Sequence, residues 1–493
     1  MVHCGDPETV CGAYTTYEDE EMNAKERMAI ARQMPVELTV AERITNFDEI
    51  VAGYSEETAI LEANRCLQCK KPGCRDGCPI NNNIPAFIAL LRERQFEEAY
   101  WKVRETSSLP AVCSRVCPHE FQCEGSCVRG KGKGQAVAIG MLERFLVDWM
   151  VANDRNLMKE CRLPGDKKVA IVGSGPAGMT VAYYLAHKGI PCTIFESLSQ
   201  HGGMLSVGIP AFRLPRNIIN AEFEALKSCG VTLKTGVTIG RDKSLEDLRA
   251  EGFDAVFMGV GAHASRKLGL DGEATTEGVM HGVDYLRRIN LGEMIDLGKK
   301  VVVVGGGNVA IDVARTALRL GSSDVFILYR RSKAEMPASM AEVHHLEEEG
   351  VRIEMLAAPV KIHQKNGKLT AVECVRMELG EPDASGRRRP VVQEGSNFMI
   401  EAHSLIPAIS QNVDHTADNG HTFNLTNWGT YDTDPLTLQT SVEWIFAGGD
   451  DVLGPQTAAK AVYQGKVAAE SIECYLKGQD LMSDREFLCK LDN

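Results

Sequence analysis

Two periodicities divide the chain. Up to about residue 160 the apolar positions recur at helical spacing, as in Ile84–Thr106 (IPAFIALLRERQFEEAYWKVRET) and Val137–Met150 (VAIGMLERFLVDWM), which predicts helices with one buried face. Pro85 sits where a first helical turn tolerates it. Leu163-Pro164-Gly165-Asp166 reads as a linker. Beyond it, short apolar runs alternate with helical patterns, which predicts an α/β fold built on parallel strands.

One unit of that alternation occurs twice. Lys168–Ser197 (KVAIVGSGPAGMTVAYYLAHKGIPCTIFES) runs strand, Gly173-Ser174-Gly175-Pro176-Ala177-Gly178, helix, and a second strand ending at Glu196. Strand, glycines, helix and terminal acid fall in the order of a dinucleotide-binding fold. Gly173 permits the tight turn, Gly175 lets the backbone approach a pyrophosphate, and Gly178 allows close helix packing. Glu196 is placed to hydrogen-bond ribose hydroxyls. Lys300–Arg331 repeats the unit with Gly305, Gly307 and then Asn308-Val309-Ala310, but its second strand ends in Arg330-Arg331 without a carboxylate. Guanidinium groups there favour a 2′-phosphate, so the second site is expected to take NADP(H). Trp444–Ala469 adds a buried strand ending in Gly448-Gly449-Asp450 and a helix after Thr457. In two-dinucleotide flavoproteins such a segment closes the flavin site, which assigns FAD to the first unit. Val256–Gly261 fits the strand that crosses between the two units.

Composition changes the picture in one respect. The 493 residues are 44% hydrophobic and 25% charged, ordinary for globular domains. The net charge of −13 argues against nucleic acid as the main partner. No run of about 18 apolar residues occurs, and the first residues resemble no secretory signal, so a cytoplasmic chain with no membrane span is expected. Sixteen cysteines are unusual for such a chain, and disulfides are not their expected use. Eight fall in two sets. Cys66, Cys69, Cys74 and Cys78 read C-x2-C-x4-C-x3-C-P, close to the ferredoxin run whose fourth cysteine ligates a second cluster. Cys113, Cys117, Cys123 and Cys127 follow. Two 4Fe–4S clusters are expected, with Cys4 zinc as the alternative. Cys161, Cys192, Cys229, Cys374, Cys474 and Cys489 are isolated and expected to be plain thiols; Cys4 and Cys11 lie in a terminus expected to fray. His344-His345 is expected on a solvated helix face. No residue stands out as a catalytic nucleophile or base.

Taken in order, the cysteine module, GSGPAG, Gly202–Pro215 (GGMLSVGIPAFRLP), GGGNVAID, Tyr329-Arg330-Arg331, Met336-Pro337, Gly380–Pro390 (GEPDASGRRRP) and FAGGD resemble the NADPH-dependent glutamate synthase small (β) subunit family. That family includes the large subunit of NADH-dependent ferredoxin:NADP oxidoreductase and part of dihydropyrimidine dehydrogenase. The resemblance spans about residues 40–480. It implies a helical iron–sulfur domain over 1–162, an FAD domain in two parts over 163–288 and 424–493, and an NADPH domain inserted over 289–423. It also implies flavin contacts from Gly173, Gly175, Pro176, Ala177, Gly178, Glu196, Gly203, Leu205, Arg213, Gly449, Asp450 and Thr457. NADPH contacts are implied for Gly305, Gly307, Asn308, Val309, Arg330 and Arg331. One cluster would take Cys66, Cys69, Cys74 and Cys127; the other would take Cys78, Cys117, Cys123 and the carboxylate of Glu143, leaving Cys113 over. Where relatives carry a glycine this chain has Ser410, and Asp451 after Asp450 is unusual. The implied activity is hydride exchange between NADP(H) and FAD, with single electrons passed through the clusters to partner subunits in a hetero-oligomer. Those partners are expected to be flavin or iron–sulfur proteins, such as ferredoxin or a hydrogenase-like assembly, with electron bifurcation among the modes the resemblance implies. The alternatives are a glutamate synthase small subunit feeding a glutamine-dependent large subunit, and a zinc-containing assembly module without redox activity.

Overall fold

The computed structural model describes residues 22–483 apart from 133, 384 and 385, so Cys4, Cys11 and Cys489 lie outside the described residues. The amino-terminal unit is helical. Its core gathers Phe87, Ile88, Leu91, Tyr100, Leu142 and Leu146 from three helices. The segment Ile84–Thr106 is not one helix but two, Ile84–Arg92 and Phe96–Arg104. Arg94 takes a positive φ of 58°, and the amides of Arg94 and Gln95 donate back to the carbonyls of Leu91 and Leu90. That pairing terminates a helix by satisfying its last carbonyls. The turn preserves the apolar phase on either side, so periodicity alone does not reveal it. Phe96 then packs edge-on against Phe145 at 5.2 Å, seating the hairpin on the helix Ile139–Ala152.

Two parallel sheets follow. The first comprises β1 (Val169–Val172), β2 (Cys192–Glu196), β3 (Thr232–Thr235), β4 (Ala255–Met258) and the late strand β15 (Ile445–Ala447), in the order β15-β4-β1-β2-β3. The second comprises β6 (Lys300–Val304), β7 (Asp324–Tyr329), β8 (Arg352–Met355) and β13 (Ser404–Pro407), in the order β13-β6-β7-β8. Both carry near-continuous apolar strands because helices cover both faces. An antiparallel ribbon of β9 (Ala357–Lys365), β10 (Lys368–Pro382), β11 (Arg388–Val392) and β12 (Phe398–Glu401) extends the second unit.

The chain passes between the units through two-residue strands, β5 (Ala264–Ser265) and β14 (Gln411–Asn412), which pair antiparallel. These crossings come earlier than the boundaries near 288 and 423 read from sequence. Tyr285 and Leu286 of the helix Gly282–Asn290 already pack in the second unit's core, and Val413, Ala417 and Phe423 in the first unit's. A two-residue strand has no hydrophobic period to announce it. Ser410, one residue before β14, keeps a glycine-like φ of 138°. Ser410→Gly is expected to stabilise the protein by roughly 1 kcal/mol through relief of this strain, measured as a higher midpoint in urea unfolding.

Two side-chain environments also differ from what the sequence predicts. Cys161 and Cys229, expected as isolated thiols, form a disulfide across 68 residues of sequence, because the linker returns along the end of the helix Arg216–Ser228. His345 is not solvated: it is buried and its Nε2 lies 3.0 Å from Glu37 Oε2. Only His344 faces solvent. Among the described residues no helix is long and apolar enough to cross a membrane.

Candidate functional site

A cavity of about 450 Å³ opens along the carboxyl ends of the first sheet, where ligands of open α/β sheets bind. Gly173, Gly175, Pro176, Ala177, Glu196, Gly203, Leu205, Arg213, Gly449, Asp450 and Thr457 all line it. The glycines divide the work as their positions require. A Cβ on Gly173 would stand 2.3 Å from the Gly259 carbonyl oxygen, whereas one on Gly175 would meet nothing within 4 Å and project into open space. Gly178 is set back, where a Cβ would strike the Gly173 carbonyl oxygen at 2.1 Å. Gly173 thus admits the backbone after β4, Gly175 leaves open a cradle that a side chain would fill, and Gly178 lets the helix Pro176–His187 close on β1. Glu196 is buried and accepts from the Ser174 amide at 3.0 Å and the Leu198 amide at 2.8 Å, which fixes its carboxylate at the strand end.

At the other end, Thr457 caps the nineteen-residue helix Ala458–Leu476, whose amino terminus turns its partial positive charge toward the cavity. Asp450 is pushed up to about 7 by burial. Its neighbour Asp451 is buried completely and held well above the ordinary carboxylate range by burial and by Asp450; its Oδ2 accepts from the Val260 amide while Oδ1 has no partner.

The second glycine turn lies across the cavity. Asn308 and Val309 line it, while Gly305, Gly307, Arg330 and Arg331 are not among its lining residues. A Cβ on Gly305 would press the Ala408 carbonyl oxygen at 2.3 Å, but Gly307 meets only Pro337 Cγ at 3.8 Å, so this turn also leaves room against its backbone. The two arginines separate. Arg330 is exposed at the end of β7, whereas Arg331 is buried, with Nη2 2.6 Å from Asp383 and Nε donating to the Arg388 carbonyl. Arg213 also differs from expectation. Although it reaches the cavity, its guanidinium is committed to Asp312 at 2.8 Å and Glu342 at 3.0 Å, clasping the first unit to the second.

The cysteines assemble as two groups. Cys66, Cys69, Cys74 and Cys127 act electrostatically on one another, and burial together with Cys66 and Cys127 pushes Cys74 up to about 12. Cys78, Cys113, Cys117, Cys123 and Glu143 form the other; burial pushes Cys78 up to about 12 and Glu143 to about 8. Glu143 Oε1 is buried without a hydrogen-bond partner. A carboxylate so placed is costly unless something binds it. Among the described residues no three such side chains converge on a site for a single ion.

Sequence reasoning missed how the helical unit meets the cavity. Val116 and Pro118, flanking Cys117, line its wall. Gln122, beside Cys123, donates from Nε2 to Thr457 Oγ1 at 3.3 Å. The Cys-Pro dipeptide was visible in sequence, but its neighbour, more than 300 residues away, was not.

Comparison with known proteins agrees with this geometry. Residues 43–155 match the 4Fe–4S cluster domain II of dihydropyrimidine dehydrogenase, and residues 167–465 match the pyridine nucleotide-disulphide oxidoreductase family. The glutamate synthase [NADPH] small chain of Azospirillum brasilense is 36% identical over 467 residues, covering 91% of this chain and 95% of that one. The chain belongs to the glutamate synthase small-chain family. The family extends to proteins of other names. The NADP(+)-dependent formate dehydrogenase subunit beta of Moorella thermoacetica is 42% identical over 82% of this chain, and the NADPH-Fe(3+) oxidoreductase subunit beta of Geobacter sulfurreducens 41% over 83%. The chain spans only 60% and 66% of their lengths. Mycobacterium tuberculosis FprA in complex with NADPH shares the fold, with a TM-score of 0.57 at 19% identity over 63% of this chain and 85% of that one. This member of the glutamate synthase small-chain family accordingly carries a 4Fe–4S cluster domain ahead of a pyridine nucleotide-disulphide oxidoreductase domain.

Proposed function

We propose that this chain is the NADPH-linked electron-transfer subunit of a larger cytoplasmic redox assembly, exchanging hydride between NADP(H) and FAD and releasing single electrons through two 4Fe–4S clusters to partner subunits. The observation that carries this reading is the shared wall: residues on either side of Cys117 border the cavity formed by Gly175 and Thr457. Bound FAD supplies the conversion between two-electron and one-electron chemistry, and bound clusters carry electrons singly.

The chain's own residues orient and insulate. Gly173, Gly175, Pro176 and Ala177 offer the backbone for a pyrophosphate, and Glu196 accepts from ribose hydroxyls. Thr457 and its helix stabilise negative charge developing at their end of the cavity. Asp450, raised to about 7, can hold a proton on its carboxyl near neutral pH. Asn308 and Val309 line the same cavity and would contact the second dinucleotide, and Gly203 and Leu205 would contact the first. Cys66, Cys69, Cys74 and Cys127 would hold one cluster; Cys78, Cys117, Cys123 and Glu143 would hold the other, with Val116 and Pro118 on either side of Cys117 in the cavity wall. The buried, unpartnered Glu143 oxygen and the soft thiol donors fit that group.

A second reading, a glutamate synthase small subunit delivering electrons to a separate glutamine-dependent subunit, is favoured by the 95% coverage of the Azospirillum small chain. The 42% and 41% identity to beta subunits of a formate dehydrogenase and an NADPH-Fe(3+) oxidoreductase instead favours the first. Anaerobically prepared protein is expected to be brown, with visible absorbance bleached by NADPH. Tightly bound zinc in a colourless protein unaffected by NADPH would reject the redox reading. Co-purification with native neighbours then separates the two assemblies: a large amidotransferase supports the second, a ferredoxin-type flavoprotein the first.

A further inference from the structure

Among the described residues three basic side chains line the cavity: Arg213, His263 and Arg287. Two of them are not available to an anionic ligand. Arg213 is committed to Asp312 and Glu342, and burial lowers His263 from its ordinary range, which leaves it neutral near pH 7. Arg287 remains. It pairs with Asp284, one turn earlier on the same helix, and both side chains are partly exposed. A surface pair of this kind is weak and readily exchanged. The neighbouring Arg288 is held by Glu293, at 2.6 Å.

Arg287 belongs to the helix Gly282–Asn290, whose Tyr285 and Leu286 pack in the second unit's core. Val283, Leu286 and Arg287 line the cavity, and Asn290 completes the same face at the i, i+3, i+4, i+7 spacing. Asn290 Nδ2 donates to the Val207 carbonyl at 2.9 Å, which seats this face on the short helix Met204–Val207 of the first unit. That short helix begins after Gly203, where a Cβ would stand 3.0 Å from Gly175 Cα. Arg287 therefore enters, from the second unit, a cavity whose first-unit wall is the glycine turn at Gly175.

We propose that Arg287 binds the diphosphate of the flavin dinucleotide, so that the second unit supplies the cation that the first unit's glycine turn lacks. The inference rests on the reading of the first unit as the FAD site. A diphosphate carries two negative charges. The backbone at Gly175 and the helix Pro176–His187 offer it partial positive charge only, whereas a guanidinium adds a bidentate, charge-assisted pair. Because Arg287 lies on the inserted unit, bound FAD also ties the two units together through it, and Asp284 is released to solvent.

The test titrates the full chain, with clusters loaded and flavin removed, with FAD by quenching of flavin fluorescence. The forms are the parent, Arg287→Ala and Arg287→Lys, with urea unfolding of the flavin-free proteins reporting intact folding. Arg287→Ala is expected to raise the Kd for FAD about 10- to 100-fold. Arg287→Lys, which keeps the charge without the fork, is expected to recover part of that loss. ADP, which carries the diphosphate, should compete with FAD more weakly in Arg287→Ala than in the parent, while adenosine, which lacks it, competes equally in both. An unchanged Kd for FAD, or an equal loss of competition by ADP and adenosine, would overturn the proposal. So would a rise confined to KM for NADPH, measured with ferricyanide as acceptor, which would give Arg287 to the other dinucleotide. A parent that takes up no FAD would overturn the reading of the first unit, and the proposal with it.

Discussion

Glu349→Gln is expected to destabilise the protein by about 3–5 kcal/mol, the cost of removing one partner from a buried ion network. Glu349 follows the helix Met340–Glu348, with its side chain fully buried. Arg315 reaches its two oxygens at 2.7 and 3.1 Å, and Arg319 at 2.8 and 3.0 Å. Arg43 of the helical unit adds a contact at 3.4 Å. The same guanidinium groups of Arg315 and Arg319 lie over Phe212, at 4.8 and 4.1 Å, and the Phe212 carbonyl accepts from the Ile50 amide. All three units therefore meet at this carboxylate. Glutamine keeps the shape but leaves buried guanidinium charge uncompensated. Urea unfolding of the full chain measures the loss.

The network also sets an acid limit. Burial opposes ionisation of Glu349, but the hydrogen bonds and charges of Arg319 and Arg315 win and hold it at about 2, below its ordinary 4.5. A depressed carboxyl contributes stability that is present above the ordinary value and lost as pH falls from about 4.5 toward 2. The shift corresponds to about 3 kcal/mol, and in Glu349→Gln this part of the acid dependence should vanish. An acid limb unchanged in that variant would assign it to other groups.

Arg330→Ala is expected to raise KM for NADPH by about 10- to 100-fold, the range for a charge-assisted hydrogen bond to phosphate, and to leave KM for NADH nearly unchanged. Both arginines after β7 look equivalent in sequence. In the fold, Arg331 is buried against Asp383 and the Arg388 carbonyl, while Arg330 presents its guanidinium to solvent beside Arg331 and Arg387. Single substitutions therefore separate the roles. Arg331→Ala should lower stability by loosening the ribbon from β7, whereas Arg330→Ala should alter cofactor choice without that loss. Equal effects of Arg330→Ala on both nucleotides would reject the 2′-phosphate role.

Much of this was legible because it depends on local chemistry. A glycine that must admit a pyrophosphate, an apolar strand before it and an acid or arginine after the next strand lie within about 30 residues. The cysteine sets likewise announce themselves by short spacings. The turn at Arg94 and the crossings at β5 and β14 were not legible, because a two-residue strand or a closing turn leaves the hydrophobic period intact.

The sequence alone determined two dinucleotide units, a cysteine-rich helical unit ahead of them and the donors available to each. Only the tertiary structure decided which donors are free to act. It withdrew Arg213 and Arg331 into ion pairs, joined Cys161 to Cys229, buried His345 against Glu37, and left the buried Glu143 Oε1 without a partner. The reason is physical: residue type fixes what a side chain can bind, but its partners come from segments tens to hundreds of residues away, and burial makes those partners obligatory.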